Sequence, residues 1–228
     1  MALRVIVLDF DGVVVESNNI KHQAFSELFS AFPDHHGEIM SYHLSHNAVN
    51  RYDKFRYIIE NILKQNYDQN LVEKWASRFS ELTRDKIVNC LYVAGAMEFL
   101  NYFFDKYPVY LASATPVEEL KIILKRRGIL HYFKEIYGAP MQKREMFEDI
   151  MKKEAVKPDE ILYIGDSRED YEVGKGSGCI FIARTSDYDF KGLNIKSFKN
   201  MFEIKTYVLN CLIKEGIKDG LSDRIFPA

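Results

Sequence analysis

Short apolar runs alternate with amphipathic stretches along most of the chain. Weaker runs lie near residues 135–137 and 179–183. Three stronger ones are rich in β-branched residues, and each is followed by small, acidic or hydroxyl side chains; they are Arg4–Leu8, Pro108–Ala112 and Glu160–Ile164. Apolar runs of this length that alternate with helices are typical of a buried parallel sheet. The pattern therefore predicts an α/β fold with a central parallel sheet flanked by helices.

A helical pattern without strand signals fills the segment from about Asn18 to Asn89. Apolar residues recur there at i, i+3, i+4 spacing, which predicts three or four helices. Residues 1–15 and 91–228 are therefore expected to form the α/β core, and residues 16–90 a small all-helical domain inserted after the first strand. A final amphipathic helix is expected from about Met201 to Ile213, and we assign no role to the tail beyond Gly216.

Composition narrows the class of protein only slightly. Apolar residues make up 47% and charged residues 28%, and the net charge is −2 without any long basic block, so nothing favours a nucleic-acid partner. Cys90, Cys179 and Cys211 lack CxxC spacing, which favours reduced buried thiols. The chain shows no secretory signal, and no stretch reaches the roughly 20 apolar residues of a membrane helix. We expect a cytoplasmic protein; the sequence specifies no oligomeric state.

Two acids separated by one residue follow the first strand. Alternate side chains of an extended chain share a face, so Asp9 and Asp11 can point to one site while Phe10 packs away. Gly12 then permits a sharp departure from the sheet. Open α/β sheets bind ligands at the carboxyl ends of their strands. Because two neighbouring buried carboxylates are costly, the pair calls for a cation or a shared proton.

Hydroxyl residues follow the second strong strand. Thr115 is expected to cap a helix, with Pro116 as its first residue and Glu118 completing a capping box. The N–H groups at such a helix start attract anions, and Ser113 adds a hydroxyl donor for a phosphate.

Acids also follow the third strong strand. Asp166 comes directly after Gly165, and Asp170 lies one helical turn further on if a helix starts at once. Oxygen ligands of this kind suit a hard cation such as Mg²⁺.

Taken together, these strand ends resemble the motifs of the haloacid-dehalogenase superfamily. Asp9-Phe10-Asp11-Gly12 is similar to its DxD motif, Ser113 to its second-motif hydroxyl residue, and Asp166 with Asp170 to its GDxxxD motif. The family places a lysine between the last two motifs. Lys143 is the better candidate for it, and the adjacent Arg144 is the alternative.

The resemblance implies a Rossmann-like core and a phosphatase that acts through a phosphorylated aspartate. Asp9 would be the nucleophile, and Asp11 would protonate the leaving group and then activate water. Mg²⁺ would be held by the carboxylates of Asp9 and Asp166 and by the main-chain carbonyl of Asp11. Ser113, the Ala114 N–H and Lys143 would bind the phosphate. Asp170 would contact the residues that hold the ligands rather than the ligands themselves, or it would contact Lys143. An anionic nucleophile that approaches a phosphate dianion needs such cations in a closed site.

The helical insert resembles the caps of phosphoglycolate phosphatase and β-phosphoglucomutase relatives, which close over the site. Glu16, Lys21, Arg51 and Lys54 are the candidates for contacts with a small phosphorylated metabolite, and Arg51 resembles an arginine that some mutases use to grip a second phosphate or the far end of the substrate. A phosphomutase is the alternative, but Lys21 stands where such mutases carry a histidine, with His22 adjacent. A non-catalytic module on the same fold is a third hypothesis, which the presence of every motif residue disfavours.

Overall fold

The computed structural model describes residues 3–46 and 49–213, and a six-stranded sheet lies at its centre. All neighbouring strands pair in parallel. The strands are β1 (Val5–Leu8), β2 (Val109–Pro116), β3 (Glu135–Ala139), β4 (Ile161–Gly165), β5 (Ile180–Arg184) and β6 (Lys196–Phe198). Their order is β3-β2-β1-β4-β5-β6, so β1 lies between β2 and β4. The α/β parallel-sheet fold predicted from the sequence is confirmed.

One strand was not expected from the sequence. β6 is three residues long and pairs at the edge of the sheet with β5. Two of its residues, Lys196 and Ser197, are polar and exposed. A short polar edge strand carries neither the apolar run nor the alternation by which strands are recognised.

Four of the five α-helices described between β1 and β2 lie in the segment from Asn18 to Asn89. Asn50 and Asp68 cap the third and fourth of them, because each side chain accepts two backbone N–H bonds. The helices are α1 (Asn18–Leu28), α2 (His36–Ser45), α3 (Arg51–Tyr57), which a π-helical turn (Ile58–Ile62) prolongs, and α4 (Gln69–Asn89). They bury an apolar cluster of their own, rich in aromatic rings. The helical character of this segment agrees with the prediction, whereas its limits as a domain, 16–90, stay a prediction.

The remaining helices cover both faces of the sheet. They are α5 (Ala96–Phe103), α6 (Val117–Arg126), α7 (Lys143–Glu154), α8 (Arg168–Ser177) and α9 (Met201–Tyr207), with a π-helical turn (Val208–Ile213) and 3₁₀ turns at Leu130–Tyr132 and Pro158–Glu160. Alternate residues of β1 point to opposite faces of the sheet. Ile6 and Leu8 pack against α5 and α6 on one face, and Val5 and Val7 pack against α7 on the other. This alternation fixes which side chains of β1 reach each layer.

The C-terminal helix and the cysteines were also predicted from the sequence. The helix predicted from Met201 onward is present. Cys90 and Cys179 are half-buried free thiols, and the side chain of Cys211 lies outside the described residues, as does the tail beyond Gly216. Among the described helices, none has the length and apolar character needed to cross a bilayer.

The expected start of the helix after β2 is wrong. α6 begins at Val117, and no side chain caps it. Pairing with β3 continues to Pro116, so the backbone at Thr115 belongs to the strand rather than to a helix cap. The Thr115 hydroxyl instead donates to Asp11 Oδ2 at 3.1 Å.

Gly165 is expected to be intolerant of a side chain because α8 approaches it closely. A Cβ at Gly165 would lie 2.4 Å from Asp170 Cβ, whereas a Cβ at Gly176, on α8, would meet nothing within 4 Å. We expect Gly165→Ala to lower the free energy of unfolding by about 1–3 kcal/mol, measured by urea denaturation. The matched Gly176→Ala variant should be neutral or stabilise by about 0.4–1 kcal/mol. Equal stabilities for the two variants would contradict this close approach.

Candidate active site

The carboxyl ends of β1, β2 and β4 converge on one cavity of about 40 Å³. Asp9 and Asp11 follow β1, Ala114 belongs to β2, and Asp166 follows β4. The rest of the lining comes from α7, from the start of α8 and from α1 and α2: Lys143, Ser167, Asn18, Lys21, His22 and His43. Three sequence motifs that lie far apart in the chain are therefore brought together by parallel strand order alone.

Lys143, the first residue of α7, lies between two buried carboxylates. Its Nζ donates to Asp9 Oδ1 at 3.1 Å and contacts Asp170 Oδ1. Burial by itself would lower the pKa of Lys143, but Asp170 and Asp9 hold it well above its ordinary value. Arg144 is exposed and pairs with Glu148 at 3.2 Å. Of the two candidates, Lys143 is thus the one that reaches the cavity.

Asp170 has bonding partners for both of its oxygens. The Asp166 and Ser167 N–H groups donate to Oδ2 at 3.2 and 3.1 Å, and the Ser167 hydroxyl donates to it at 2.6 Å. The Tyr163 hydroxyl and Lys143 contact Oδ1. Burial would raise the pKa of Asp170, but Lys143 foremost among its partners keeps it below the ordinary value. Asp170 is therefore a permanent anion that fixes Lys143.

Asp9, Asp166 and Asp170 form a cluster of buried carboxylates whose nearest oxygens lie within 4.8 Å of one another. Burial, followed by like charge, raises the pKa of Asp9 well above its ordinary value and that of Asp166 to about 7. Lys143 compensates only part of this negative charge. An all-oxygen donor set with surplus negative charge fits a hard divalent cation. Because the oxygens of Asp170 are already engaged, Asp9 and Asp166 are the carboxylates best placed to hold it.

Asp11 lies in a different environment from Asp9. Its Oδ1 accepts a bond from the Ser17 hydroxyl at 2.5 Å, and its Oδ2 contacts Lys21 Nζ and accepts from Thr115. Burial would raise the pKa of Asp11, but Lys21 and these donors bring it below the ordinary value. The two acids of one short motif therefore differ in proton affinity, and in the metal-free protein Asp9 holds a proton more tightly than Asp11 does.

Gly12 lets the two acidic loops approach each other. Its φ is +72°, a conformation that favours glycine. A Cβ there would lie 1.9 Å from Asp166 Oδ2. Gly12 is thus required for two reasons: the turn needs its positive φ, and the Asp166 carboxylate leaves no space for a side chain.

Ser113 and Ala114 lie beside the cavity at the end of β2. Ser113 is fully buried, and its Oγ accepts the Thr115 N–H at 3.1 Å. Ala114 lines the cavity directly. Both residues are where the sequence predicted them, and their role in phosphate binding stays a prediction.

A family model described as haloacid dehalogenase-like hydrolase matches residues 6–184. The chain belongs to this family. A curated relative, a phosphoglycolate phosphatase of Photobacterium profundum, is 28% identical over 103 residues, which is 42% of this chain and 45% of that protein. The match thus spans less than half the length of that relative.

Solved structures share the fold of this haloacid dehalogenase-like hydrolase. A β-phosphoglucomutase from Clostridium difficile has a TM-score of 0.74 at 16% identity and covers 95% of this chain and 99% of its own. CbbY from Rhodobacter sphaeroides, in complex with xylulose-1,5-bisphosphate, has a TM-score of 0.70 at 14% identity over 88% of this chain and 96% of its own. A predicted phosphoglycolate phosphatase from Haemophilus somnus has a TM-score of 0.68 at 15% sequence identity. The match covers 90% of this chain and 98% of that protein.

The candidates on the helical segment are found in two places in this hydrolase. Lys21, Arg51 and Lys54 line a second cavity, also about 40 Å³, beside the first. Arg51 pairs with Glu119 at 2.9 Å. Glu16 lines neither cavity and binds Arg184 through both carboxylate oxygens, at 2.6 and 3.2 Å. The geometry therefore groups three of the four candidates and separates Glu16 from them.

Other polar contacts at the site were not expected from the sequence. The Asn18 amide and the Ser186 hydroxyl donate to Asp166 Oδ2 at 2.7 and 2.5 Å. His22 Nδ1 lies 2.9 Å from His43 Nε2, and His22 Nε2 lies 2.9 Å from Asp187 Oδ2. Ser186 and Asp187 follow β5 without a recognisable motif, so no sequence signal pointed to them.

The raised pKa of Asp166 predicts a pH dependence of stability in the metal-free protein. Its folded value of about 7 exceeds the roughly 4 of an unfolded aspartate, so the folded state binds this proton more tightly. The resulting stabilisation is present below about pH 4 and is lost as the pH rises through about 7. Asp166→Asn, which does not titrate, should therefore lose less stability than the wild type between about pH 5 and about pH 8. Urea denaturation in chelator checks this, and identical losses would refute the assignment.

Proposed function

We propose that this chain is a magnesium-dependent phosphatase that hydrolyses a small phosphate monoester through a phosphorylated Asp9. The main support is the cavity that both acids of the first motif line. Asp9 contacts Lys143 there, whereas Asp11, two residues further on, contacts a different lysine, Lys21. The partial match to a phosphoglycolate phosphatase supports the same chemistry.

The proposed reaction proceeds in two displacements at phosphorus. An Asp9 carboxylate oxygen attacks the phosphorus and the bond to the ester oxygen breaks. Asp11, whose lowered pKa leaves it ionised near neutral pH, first takes up a proton and then passes it to the ester oxygen. Asp11 then takes a proton from water as the water oxygen attacks the phosphorus, which releases phosphate and regenerates Asp9. Ser17, Lys21 and Thr115 hold the Asp11 carboxylate in orientation for both steps.

The phosphate itself needs positive charge and N–H donors. Lys143 supplies a permanent ammonium group, and the Ala114 N–H and Ser113 hydroxyl are the proposed neutral donors. Asp9 and Asp166, with the main-chain carbonyl of Asp11, would hold Mg²⁺, which supplies positive charge to the phosphoryl oxygens when bound.

The substrate we propose is a small phosphorylated metabolite, such as a sugar phosphate or a phosphoglycolate-like ester. The cavity at Asp9 and the one beside it measure about 40 Å³ each, so a substrate that lies within these two is a compact molecule. Residues 16–90 would act as the cap that closes over it, with Lys21, Arg51 and Lys54 facing the cavity. The cytoplasmic location stays a prediction, as does the role of Glu16.

A phosphomutase that uses the same phosphorylated aspartate is the second candidate, because a β-phosphoglucomutase shares the fold. Against it, a lysine, Lys21, contacts the acid/base Asp11, while His22 turns to His43 and Asp187. Released inorganic phosphate indicates the phosphatase, and an isomerised sugar phosphate the mutase.

Replacing the nucleophile should abolish turnover. We expect Asp9→Asn to lower the rate of phosphate release by several orders of magnitude, because an amide cannot form the phosphorylated intermediate. The measurement is phosphate released from a panel of phosphate esters with saturating Mg²⁺. Asp85→Asn serves as the matched control, because Asp85 is an exposed α4 residue paired with Arg126. Substantial turnover by Asp9→Asn would refute the mechanism.

Magnesium should stabilise the folded protein directly. Mg²⁺ at about a hundredfold excess over its dissociation constant is expected to add about 2.7 kcal/mol of stability, seen as a rise in Tm. Asp166→Asn should reduce this rise, since it removes one carboxylate ligand, and Asp85→Asn should not. A wild-type Tm that is the same in Mg²⁺ and in chelator would contradict the metal site.

A further inference from the structure

The second cavity offers room for the far end of a substrate bound at Asp9. It adjoins the first cavity through three residues that line both: Lys21, His43 and Ala114. Three basic side chains face it, those of Lys21, Arg51 and Lys54. If the groups that already contact these side chains are ignored, three positive charges would favour a second phosphate group at the far end of the substrate.

Arg51, however, already has a buried anionic partner. Its Nη1 donates to Glu119 Oε2 at 2.9 Å, and both side chains are only 6% exposed. The same nitrogen donates to the Ser80 hydroxyl at 2.6 Å, and that hydroxyl donates to Glu119 Oε2 at 2.6 Å. The guanidinium also lies 4.7 Å from the centre of the Phe79 ring. Arg51 is thus fixed from several sides and its charge is compensated.

Glu119 depends on Arg51 in turn. Within the described residues its Oε1 is buried and has no hydrogen-bond partner. If a substrate phosphate drew Arg51 away, Glu119 would keep a buried negative charge with only Ser80 beside it. Breaking a buried ion pair in this way is strongly unfavourable. A phosphate bound to Arg51 would also be repelled by the Glu119 carboxylate, because the same guanidinium group contacts both.

The other two bases offer little additional attraction to a dianion. Lys21 contacts Asp11, so its charge is compensated within the first cavity. Burial foremost, and then Lys21, lowers the pKa of Lys54 to about 7, so that near neutral pH part of the population carries no charge at this residue. An uncharged group, by contrast, is not repelled by Glu119 and needs no compensating charge from the cavity.

We propose that Glu119 is a specificity-determining residue that makes the second cavity select monophosphates with an uncharged far end and reject a second phosphate. Glu119 acts by holding Arg51 in a buried ion pair. This inference rests on the proposed phosphatase function and names its substrate class.

The test compares two probes of equal carbon chain, erythritol phosphate and erythritol 1,4-bisphosphate. For the wild type, kcat/KM should be higher for the monophosphate by about tenfold or more, mainly through KM. Glu119→Gln keeps the shape of the side chain and removes its charge, so it should narrow this ratio by about tenfold or more by lowering KM for the bisphosphate. The matched control is Glu118→Gln on the same helix, because Glu118 is 78% exposed and pairs with Lys121; it should leave the ratio unchanged.

The outcomes separate this inference from the function on which it rests. Hydrolysis of neither probe, nor of any other monoester, defeats the phosphatase proposal and this inference with it. A wild type that prefers the bisphosphate overturns the inference alone, as does a folded Glu119→Gln variant with an unchanged ratio. If Glu119→Gln does not fold, the wild-type preference decides the question.

Discussion

The ion pair between Lys143 and Asp170, shared with Asp9, is the constraint on which the site depends. Lys143 opens α7, Asp170 lies in the first turn of α8, and Asp9 follows β1, so one buried ammonium group ties together two helices and the central strand. The Tyr163 hydroxyl on β4 contacts the same cluster. Buried charges are tolerated only when they are paired and hydrogen-bonded. The positions of these elements are therefore coupled through a contact that lies where we propose that the phosphate binds.

Around that ion pair, four aspartates divide into two kinds. Asp11 and Asp170 have cationic partners and donors that keep their pKa values low despite burial. Asp9 and Asp166 have raised pKa values, because burial and neighbouring carboxylates outweigh the compensation that they receive. Asp170 can therefore hold Lys143 in place as an anion, whereas Asp11 has to take up a proton before it can act as the proposed acid. The second pair needs a further cation before both members can be ionised, which is the physical basis for proposing Mg²⁺ there.

Helices of the segment from Asn18 to Asn89 take a direct part in the site. α1 brings Lys21 to Asp11 and Asn18 to Asp166, and α3 brings Arg51 to Glu119 on α6. Each of these contacts joins a charged group of the sheet side to a group of the helical side. Closure of the helices over the cavity would therefore change the charge compensation of the acids, and the selection of substrate and the orientation of the acid/base group would be linked.

The local sequence was sufficient for the parallel sheet and for the order of its motifs. Apolar β-branched runs predicted five of the six strands in the described residues. The acids and the glycine after β1 and β4 indicated the site, because the carboxyl ends of parallel strands lie at the same edge of a sheet. Thr115 was misjudged, because its cap-like neighbours indicate a helix start, whereas pairing with β3 keeps it in the strand. The choice of Lys143 over Arg144, the ion pairs of Lys21 and Arg51, and the contacts of Ser186 and Asp187 were decided only by the tertiary structure. These contacts join residues distant in sequence, so their energy depends on distance and burial in space, which no pattern along the chain records.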